Sequence, residues 1–439
     1  MSIAVTSVSS HAPAQPAQSK RFHPPAVSDV DARASRIFVH AILIGAICLQ
    51  RFGLALGKGT ALFAALPITT AMIGWLLWTH RAKISTPLLI GYVAFLTAVA
   101  VSTTLAFAHK DNQVLSISLM SPFAIILNYL PLISAPNQRF DRSCVLPIFI
   151  KYARFCTSLG IIQYLAQFVG IRFFSFYLTF PFLRPILIEQ QYNYDPATAY
   201  GSIIRRANGV FCIEPALFSQ LIVIAACIEF FIFKRSKFLP VYAIAYMFTY
   251  SGTGALSFLI AVPFYIILFS KEASRLALLG ALGVIMLGSG ALLFPNEFNG
   301  LFGRSTEISQ TGSSGYHRYV GQFGLVDTLI GQPRILVGFG PGSLERSTFS
   351  QTGTTGPIAK LIVEYGVGGL IAFMLTLVAG IWRRDLAIIP LLMLSIFLFG
   401  GGNFAFSPLL AEIFLLCIWA APPAHKLDRG LVGAQTQPH

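Results

Sequence analysis

Residues 86–108 read Thr-Pro-Leu-Leu-Ile-Gly-Tyr-Val-Ala-Phe-Leu-Thr-Ala-Val-Ala-Val-Ser-Thr-Thr-Leu-Ala-Phe-Ala, without a single charged side chain. An α-helix rises about 1.5 Å per residue, so roughly 20 apolar residues cross a hydrocarbon slab of about 30 Å. Working outward, the same signature recurs at about 35–53, 60–79, 114–134, 145–170, 212–233 and 238–252. It continues at 255–270, 276–295, 357–381, 386–401 and 403–421. The fold class expected is an all-α polytopic integral membrane protein with about twelve transmembrane helices.

The whole composition agrees. Of 439 residues, 55% are hydrophobic and 11% charged, less than half the roughly 25% charge of soluble domains. A β-barrel is excluded, because its strands alternate apolar and polar residues and never give such unbroken runs. The formal net charge of +14 marks loops rather than a nucleic-acid surface, since no basic face is interleaved with aromatics. Cys48, Cys144, Cys156, Cys212, Cys227 and Cys417 fall mostly in apolar runs with no Cys-x-x-Cys or Cys/His spacing. They read as small buried hydrophobes, with no metal site expected.

Residues 1–34 are rich in Ala, Ser, Pro and Gln and hold no apolar stretch. They read as a disordered cytoplasmic tail, not a signal peptide. A single membrane domain over 35–421 and a second cytoplasmic tail over 422–439 follow. With the N-terminus inside, the short cytoplasmic loops carry His80-Arg81-Ala82-Lys83, Arg139 with Arg142, Lys234-Arg235-Ser236-Lys237, Lys271 with Arg275, and Arg383-Arg384. The short outer links hold only Arg51, Lys58 and Lys110, which is the positive-inside pattern. Ser251-Gly252-Thr253-Gly254 marks a break between the paired stretches 238–252 and 255–270. No internal repeat and no matching pair of interrupted helices is visible, against a transporter built on inverted repeats.

Two long polar excursions, about 171–213 and 296–356, then fall on the outer side, and loops of that size are uncommon unless functional. Apart from His317, their basic side chains are all arginine: Arg172, Arg184, Arg205 and Arg206 in the first, Arg304, Arg318, Arg334 and Arg346 in the second. A guanidinium fork grips phosphate or carboxylate at two points, which lysine does not. The aromatic stretch Phe173, Phe174, Phe176, Tyr177, Phe180 and Phe182 suits an interfacial amphipathic or re-entrant helix.

Three clusters carry possible chemistry. In Arg205-Arg206-Ala207-Asn208-Gly209-Val210-Phe211-Cys212-Ile213-Glu214-Pro215, Glu-Pro opens the next helix, and a carboxylate suits its positive end. Structurally, Gly209 supplies a turn and the arginines meet lipid phosphates; functionally, Arg205 and Arg206 grip an anionic headgroup while Glu214 orients a hydroxyl. In Tyr316-His317-Arg318-Tyr319, Arg318 is a better anion ligand than His317, which packs as readily as it reacts. Gly338-Phe339-Gly340-Pro341-Gly342 is either an anion nest or a tight turn, and it matches no nucleotide-binding pattern. Lys360 and Glu364 share one helical face at i, i+4, the spacing of a salt bridge.

The arrangement resembles the O-antigen polymerase/ligase superfamily of Wzy and WaaL type. The matching features are Arg206-x-x-Gly209-x-Phe211 followed by Glu214-Pro215, then Arg318, Gly338-Phe339-Gly340, and Glu364-Tyr365-Gly366-Val367-Gly368-Gly369. They cover roughly residues 145–380. The ligase branch places His-[Asn/Ser/Gln] nine residues before Gly-x-x-[Gly/Thr/Tyr]; here Gly366 and Gly369 fit, but Thr355-Gly356 stands where the histidine pair would be. The resemblance therefore implies a polymerase, with a core like that of the GT-C glycosyltransferases, in the bacterial inner membrane.

The resemblance further implies metal-independent transfer of a glycan from undecaprenyl pyrophosphate to another lipid-linked repeat unit, with no cofactor. Arg206 and Arg318 would hold the pyrophosphate and Glu214 would activate the acceptor hydroxyl. Arg205, His317, Tyr316, Gly209, Gly338 and Gly340 would bind substrate. Membrane lipids, a chain-length regulator and a flippase are the partners that follow, and nucleic acid is not among them. The rival expectations are an O-antigen ligase and a lipid-linked glycan flippase.

Overall fold

The computed structural model describes residues 27–57, 60–108, 120–192, 195–198, 202–269, 316, 320, 323–346, 356–400 and 403–423. Apolar helices dominate. Among the described residues five are long and apolar enough to cross a membrane: Thr86–Ala108, Arg142–Val169, Pro215–Ile232, Gly252–Phe269 and Pro357–Ile381. Shorter apolar helices accompany them. In chain order the elements are α1 (Asp29–Leu43), α2 (Ala65–Trp78), α3 (Thr86–Ala108), α4 (Met120–Tyr129), α5 (Val145–Ala166) and the single turn α6 (Phe176–Thr179). Then come α7 (Pro215–Cys227), α8 (Leu239–Thr249), α9 (Gly252–Phe269), α10 (Pro357–Ile381), α11 (Ile388–Phe399) and α12 (Ser407–Phe414). Two small antiparallel pairs sit at helix ends, β1 (Gly53–Gly57) with β2 (Thr60–Phe63) and β3 (Ala82–Ile84) with β4 (Ser134–Pro136).

Helices α3 and α10 occupy the ranges their hydropathy demands. Others differ for local reasons. The first helix starts at Asp29 rather than 35, because Ser28 caps it by accepting from Asp31 N at 3.2 Å, with Asp29 and Asp31 in the first turn. Both carboxylates suit the positive end of the helix dipole. Residues 60–63, expected as helix, pair as β2. The aromatic stretch after 171 forms only α6 and a 3-10 segment, Pro181–Ile186, in place of a longer amphipathic helix; Pro181 and Pro185 keep it short. The span expected at 276–295 lies outside the described residues.

Packing between helices in lipid relies on close approach, which small residues permit. A Cβ on Gly160 of α5 or on Gly209 would stand 2.4 and 2.6 Å from the Phe218 ring of α7, so these glycines form the slot that receives it. Aromatic rings fill the rest of the core. Tyr129 lies 4.9 Å from Phe373 and 5.4 Å from Phe404, and its hydroxyl donates to Phe404 O at 2.7 Å. Helix α12 runs on through a π-helical turn, Leu415–Trp419. Its terminal carbonyls are capped by Arg142, whose Nη2 donates to Ile418 O and Ala420 O at 2.9 and 3.0 Å.

The stretch 357–381, expected as an unbroken span, is interrupted. Gly366 adopts φ 70° and ψ −178° in the middle of α10. Glycine has no Cβ penalty there. The break also admits a neighbour, for a Cβ on Gly366 would stand 2.3 Å from the Leu336 backbone.

Candidate functional site

The segment Arg205–Glu214 crosses one end of the bundle as irregular backbone, and buried backbone of that kind needs a partner for each polar group. Two glutamines one turn apart on the helix through α5 supply several. Gln167 accepts from Arg205 N at 2.8 Å and donates to Arg205 O at 3.2 Å. Gln163 accepts from Asn208 N at 3.0 Å and donates to Asn208 Oδ1 at 2.9 Å. Asn208 Nδ2 in turn donates to Phe174 O at 2.9 Å. Arg206 N donates to Pro196 O and Ala207 N to Phe248 O, both at 2.9 Å. Gly209 and Val210 then turn the chain through positive φ, 67° and 70°.

The far end of the segment is held from the turn that follows the first helix. Gln50 Oε1 accepts from Ile213 N at 2.9 Å. Arg51 donates through Nε to Phe211 O at 3.3 Å and through Nη2 to Cys212 O at 2.8 Å. Its Nη1 reaches Phe174 O at 3.1 Å and Glu189 Oε1 at 2.7 Å, and its guanidinium lies 4.9 Å from the centre of the Phe176 ring. Glu189 is satisfied as well: Ser175 Oγ donates to Oε2 at 2.5 Å, Phe176 N to Oε1 at 3.1 Å and Tyr177 N to Oε2 at 3.2 Å. Neither side chain of the pair is exposed. Arg51, expected as a simple basic loop residue, is thus the hub joining α1 to the first arginine loop.

Against this frame the expected site residues separate. Arg205 donates to both carboxylate oxygens of Asp195, at 2.5 and 2.9 Å, and to Ser202 O at 2.6 Å. Its fork is therefore engaged within the loop. Arg184 sits over the Tyr177 ring at 4.7 Å, and Arg172 is exposed. Arg206 is half-buried beside the clamped backbone. Glu214 occupies the N-cap of α7 with Pro215 behind it, yet its carboxylate makes no bond to the helix's own N–H groups. It lies close enough to Tyr192 that, after burial itself, it is the cause holding that phenol's pKa well above its ordinary value. Gly209 acts through shape, as the slot for Phe218.

In the second loop Tyr316 is half-buried, while Arg304, His317, Arg318 and Thr355 lie outside the described residues. Gly338 and Gly340 have positive φ, 75° and 98°, but their N–H groups do not form an anion nest. Gly338 N donates to Arg334 O at 2.7 Å, Phe339 N to Val363 O at 2.8 Å and Gly340 N to Glu364 O at 3.0 Å. Phe339 N and Gly340 N thus cap carbonyls freed by the break in α10, while Gly338 N closes its own turn. Ser102 of α3 donates to the same Glu364 O at 2.6 Å. Lys360 and Glu364 form the expected i, i+4 bridge at 2.9 Å, and both side chains are buried.

Chemically, the end of the bundle holds a guanidinium and a carboxylate, Arg206 and Glu214, on backbone fixed at both ends. The residues that fix it, Gln50, Arg51, Gln163, Gln167, Asn208 and Glu189, escaped sequence reasoning. A signal existed: Gln163 and Gln167 are polar at helical spacing inside an apolar span, where polar side chains are uncommon without a task. Compared with family models, curated proteins and solved structures, the chain matches none.

Proposed function

We propose that the chain polymerises undecaprenyl-pyrophosphate-linked oligosaccharide repeat units into an exopolysaccharide or O-antigen, as a Wzy-type glycosyltransferase at the outer face of the bacterial inner membrane. It does so within a bundle of about twelve spans with a GT-C-like core and both termini in the cytoplasm. The observation that carries this reading is the immobilised Arg205–Glu214 segment, which presents Arg206 and Glu214 from backbone clamped by Gln163, Gln167, Gln50 and Arg51. Catalysis of this kind relies on position and on charge placed in advance.

In the proposed step an acceptor hydroxyl attacks the anomeric carbon of the donor glycan. The bond from that carbon to the pyrophosphate oxygen breaks with inversion, and the hydroxyl proton passes to Glu214. Arg206, with Arg318 from the second loop, takes the charge gathering on the departing pyrophosphate. A bidentate fork suits that task better than an ammonium.

A flippase is the second reading, favoured by the break in α10 beside the buried Lys360–Glu364 pair, since interrupted helices recur at transport sites. Replacing Arg206 or Arg318 by lysine in cells separates the two. A polymerase loses long-chain glycan yet still delivers single repeat units to the outer surface. Accumulation of single repeats on the cytoplasmic side instead would sink the polymerase and leave the flippase.

A further inference from the structure

Near the middle of α5 a second ionic cluster is built around one carboxylate. Arg154 of α5 donates through Nε to Glu229 Oε1 at 2.8 Å, with Nη2 2.6 Å from the same oxygen. Its guanidinium stacks 3.6 Å from the centre of the Phe238 ring, and Tyr242 donates to Glu229 Oε1 at 3.3 Å. The connection 233–238 is tied back to this point, because Arg235 N donates to Glu229 O at 2.9 Å and Leu239 N to Ser236 O at 3.0 Å. Lys234, Arg235 and Lys237 on that connection are exposed, as is Lys151, one turn before Arg154. α5, α7, α8 and their connection thus carry these five cations and no acidic residue other than Glu229, to which Arg154 is paired. Its second oxygen, Oε2, is buried without a hydrogen-bond partner.

The cations continue into an apolar stripe. Lys151, Phe155, Ile162 and Leu165 fall on one face of α5, with the three apolar side chains 54%, 60% and 53% exposed. From Lys151 to Leu165 that face rises about 21 Å, longer than the roughly 15 Å of one leaflet's hydrocarbon. A basic group at the head of a lipid-facing stripe has the amphipathic shape of a phospholipid, phosphate above and acyl chain below. The Arg154 guanidinium is held in place by Glu229 and Phe238, so part of this charge is preorganised, unlike a solvated loop.

We propose that Lys151, Arg154 and the 234–237 connection form a specific site for the headgroup of an anionic glycerophospholipid, its chain lying along Phe155 and Ile162. This site is independent of the glycosyl-transfer reading. The test uses the full chain in lipid nanodiscs, titrated with phosphatidylglycerol or phosphatidylcholine and read by native mass spectrometry. Phosphatidylglycerol should be retained saturably in preference to phosphatidylcholine, and Lys151→Gln with Lys237→Gln should weaken that retention about 30-fold, from about 1 kcal/mol per cation. Lys83→Gln with Arg384→Gln removes equal charge elsewhere and should leave it unchanged. Equal loss in both double variants, or no preference for phosphatidylglycerol, overturns the site. Displacement of the lipid by inorganic phosphate at matched ionic strength overturns it as a lipid site.

Discussion

Arg51 Nη1 lies 2.7 Å from Glu189 Oε1, and both side chains are closed off from solvent. A buried pair of this kind is weak evidence of net stability, because desolvation offsets much of the attraction. Its value here is geometric: the same guanidinium also holds Phe174 O, Phe211 O and Cys212 O. Glu189→Ala or Arg51→Met should each lower stability by about 3–5 kcal/mol, because each strands a buried charge. The double variant Arg51→Met/Glu189→Met should lose less than the sum of the single losses. Thermal unfolding in detergent measures all three, and strict additivity would contradict a coupled pair.

Gly366→Ala and Gly338→Ala should each destabilise by more than about 1 kcal/mol, since alanine resists positive φ. Their Cβ atoms would also meet backbone at 2.3 and 2.5 Å. Gly74→Ala in α2 is the control: nothing lies within 4 Å of its Cβ position, and helix propensity favours alanine by up to about 1 kcal/mol. Melting midpoints of the three variants should therefore move in opposite directions.

Asn208→Ala removes the side-chain bonds to Gln163 Nε2 and Phe174 O, but each keeps a second partner, Phe173 O at 2.6 Å and Arg51 Nη1 at 3.1 Å, so the loss should be about 0.5–1.5 kcal/mol per bond. Gln163→Ala should cost more, about 1–3 kcal/mol for each stranded group, because Asn208 N and Oδ1 both lose their partner. Because the two residues share one network, the double variant should fall short of additivity by at least about 0.5 kcal/mol. A double-mutant cycle on unfolding midpoints reads this directly, and independent effects would mean that the clamp on Arg205–Asn208 is not a unit.

Asp31 has its pKa lowered from the ordinary 3.8 by the Ser28 hydroxyl first, then by the Arg81 guanidinium at 2.8 Å. A depressed carboxylate adds stability that is full above its unfolded pKa and lost as pH falls through the folded value. Asp31→Asn should therefore flatten the loss of stability below about pH 4 and leave the slope near pH 7 unchanged. Unfolding curves across acid pH check this; an unaltered acid limb would exclude a contribution from Asp31.

Much of the helical architecture was legible in the chain because hydropathy is a local property. The range 357–381 could be outlined from its own residues, but its break at Gly366 could not, because the cause is the Leu336 backbone, which packs where a Cβ would stand. The Lys360–Glu364 bridge was legible for the same reason that α3 was: both partners sit within one helix. At the candidate site, Arg206 and Glu214 were singled out by their setting before a helix start. What became of Arg205 depended on Asp195 across a loop turn, and hydropathy carries no trace of that pairing.

Composition and periodicity by themselves determined that apolar helices form, roughly where they begin and end, and which loops carry arginine without lysine. Each of those properties depends on neighbours within about 20 residues. Tertiary structure alone decided which polar groups are used up inside the bundle: Arg51 by Glu189 and by carbonyls far along the chain, the N–H groups of Phe339 and Gly340 by the freed end of a broken helix. A buried donor needs an acceptor within hydrogen-bond reach in space, wherever that acceptor lies in sequence.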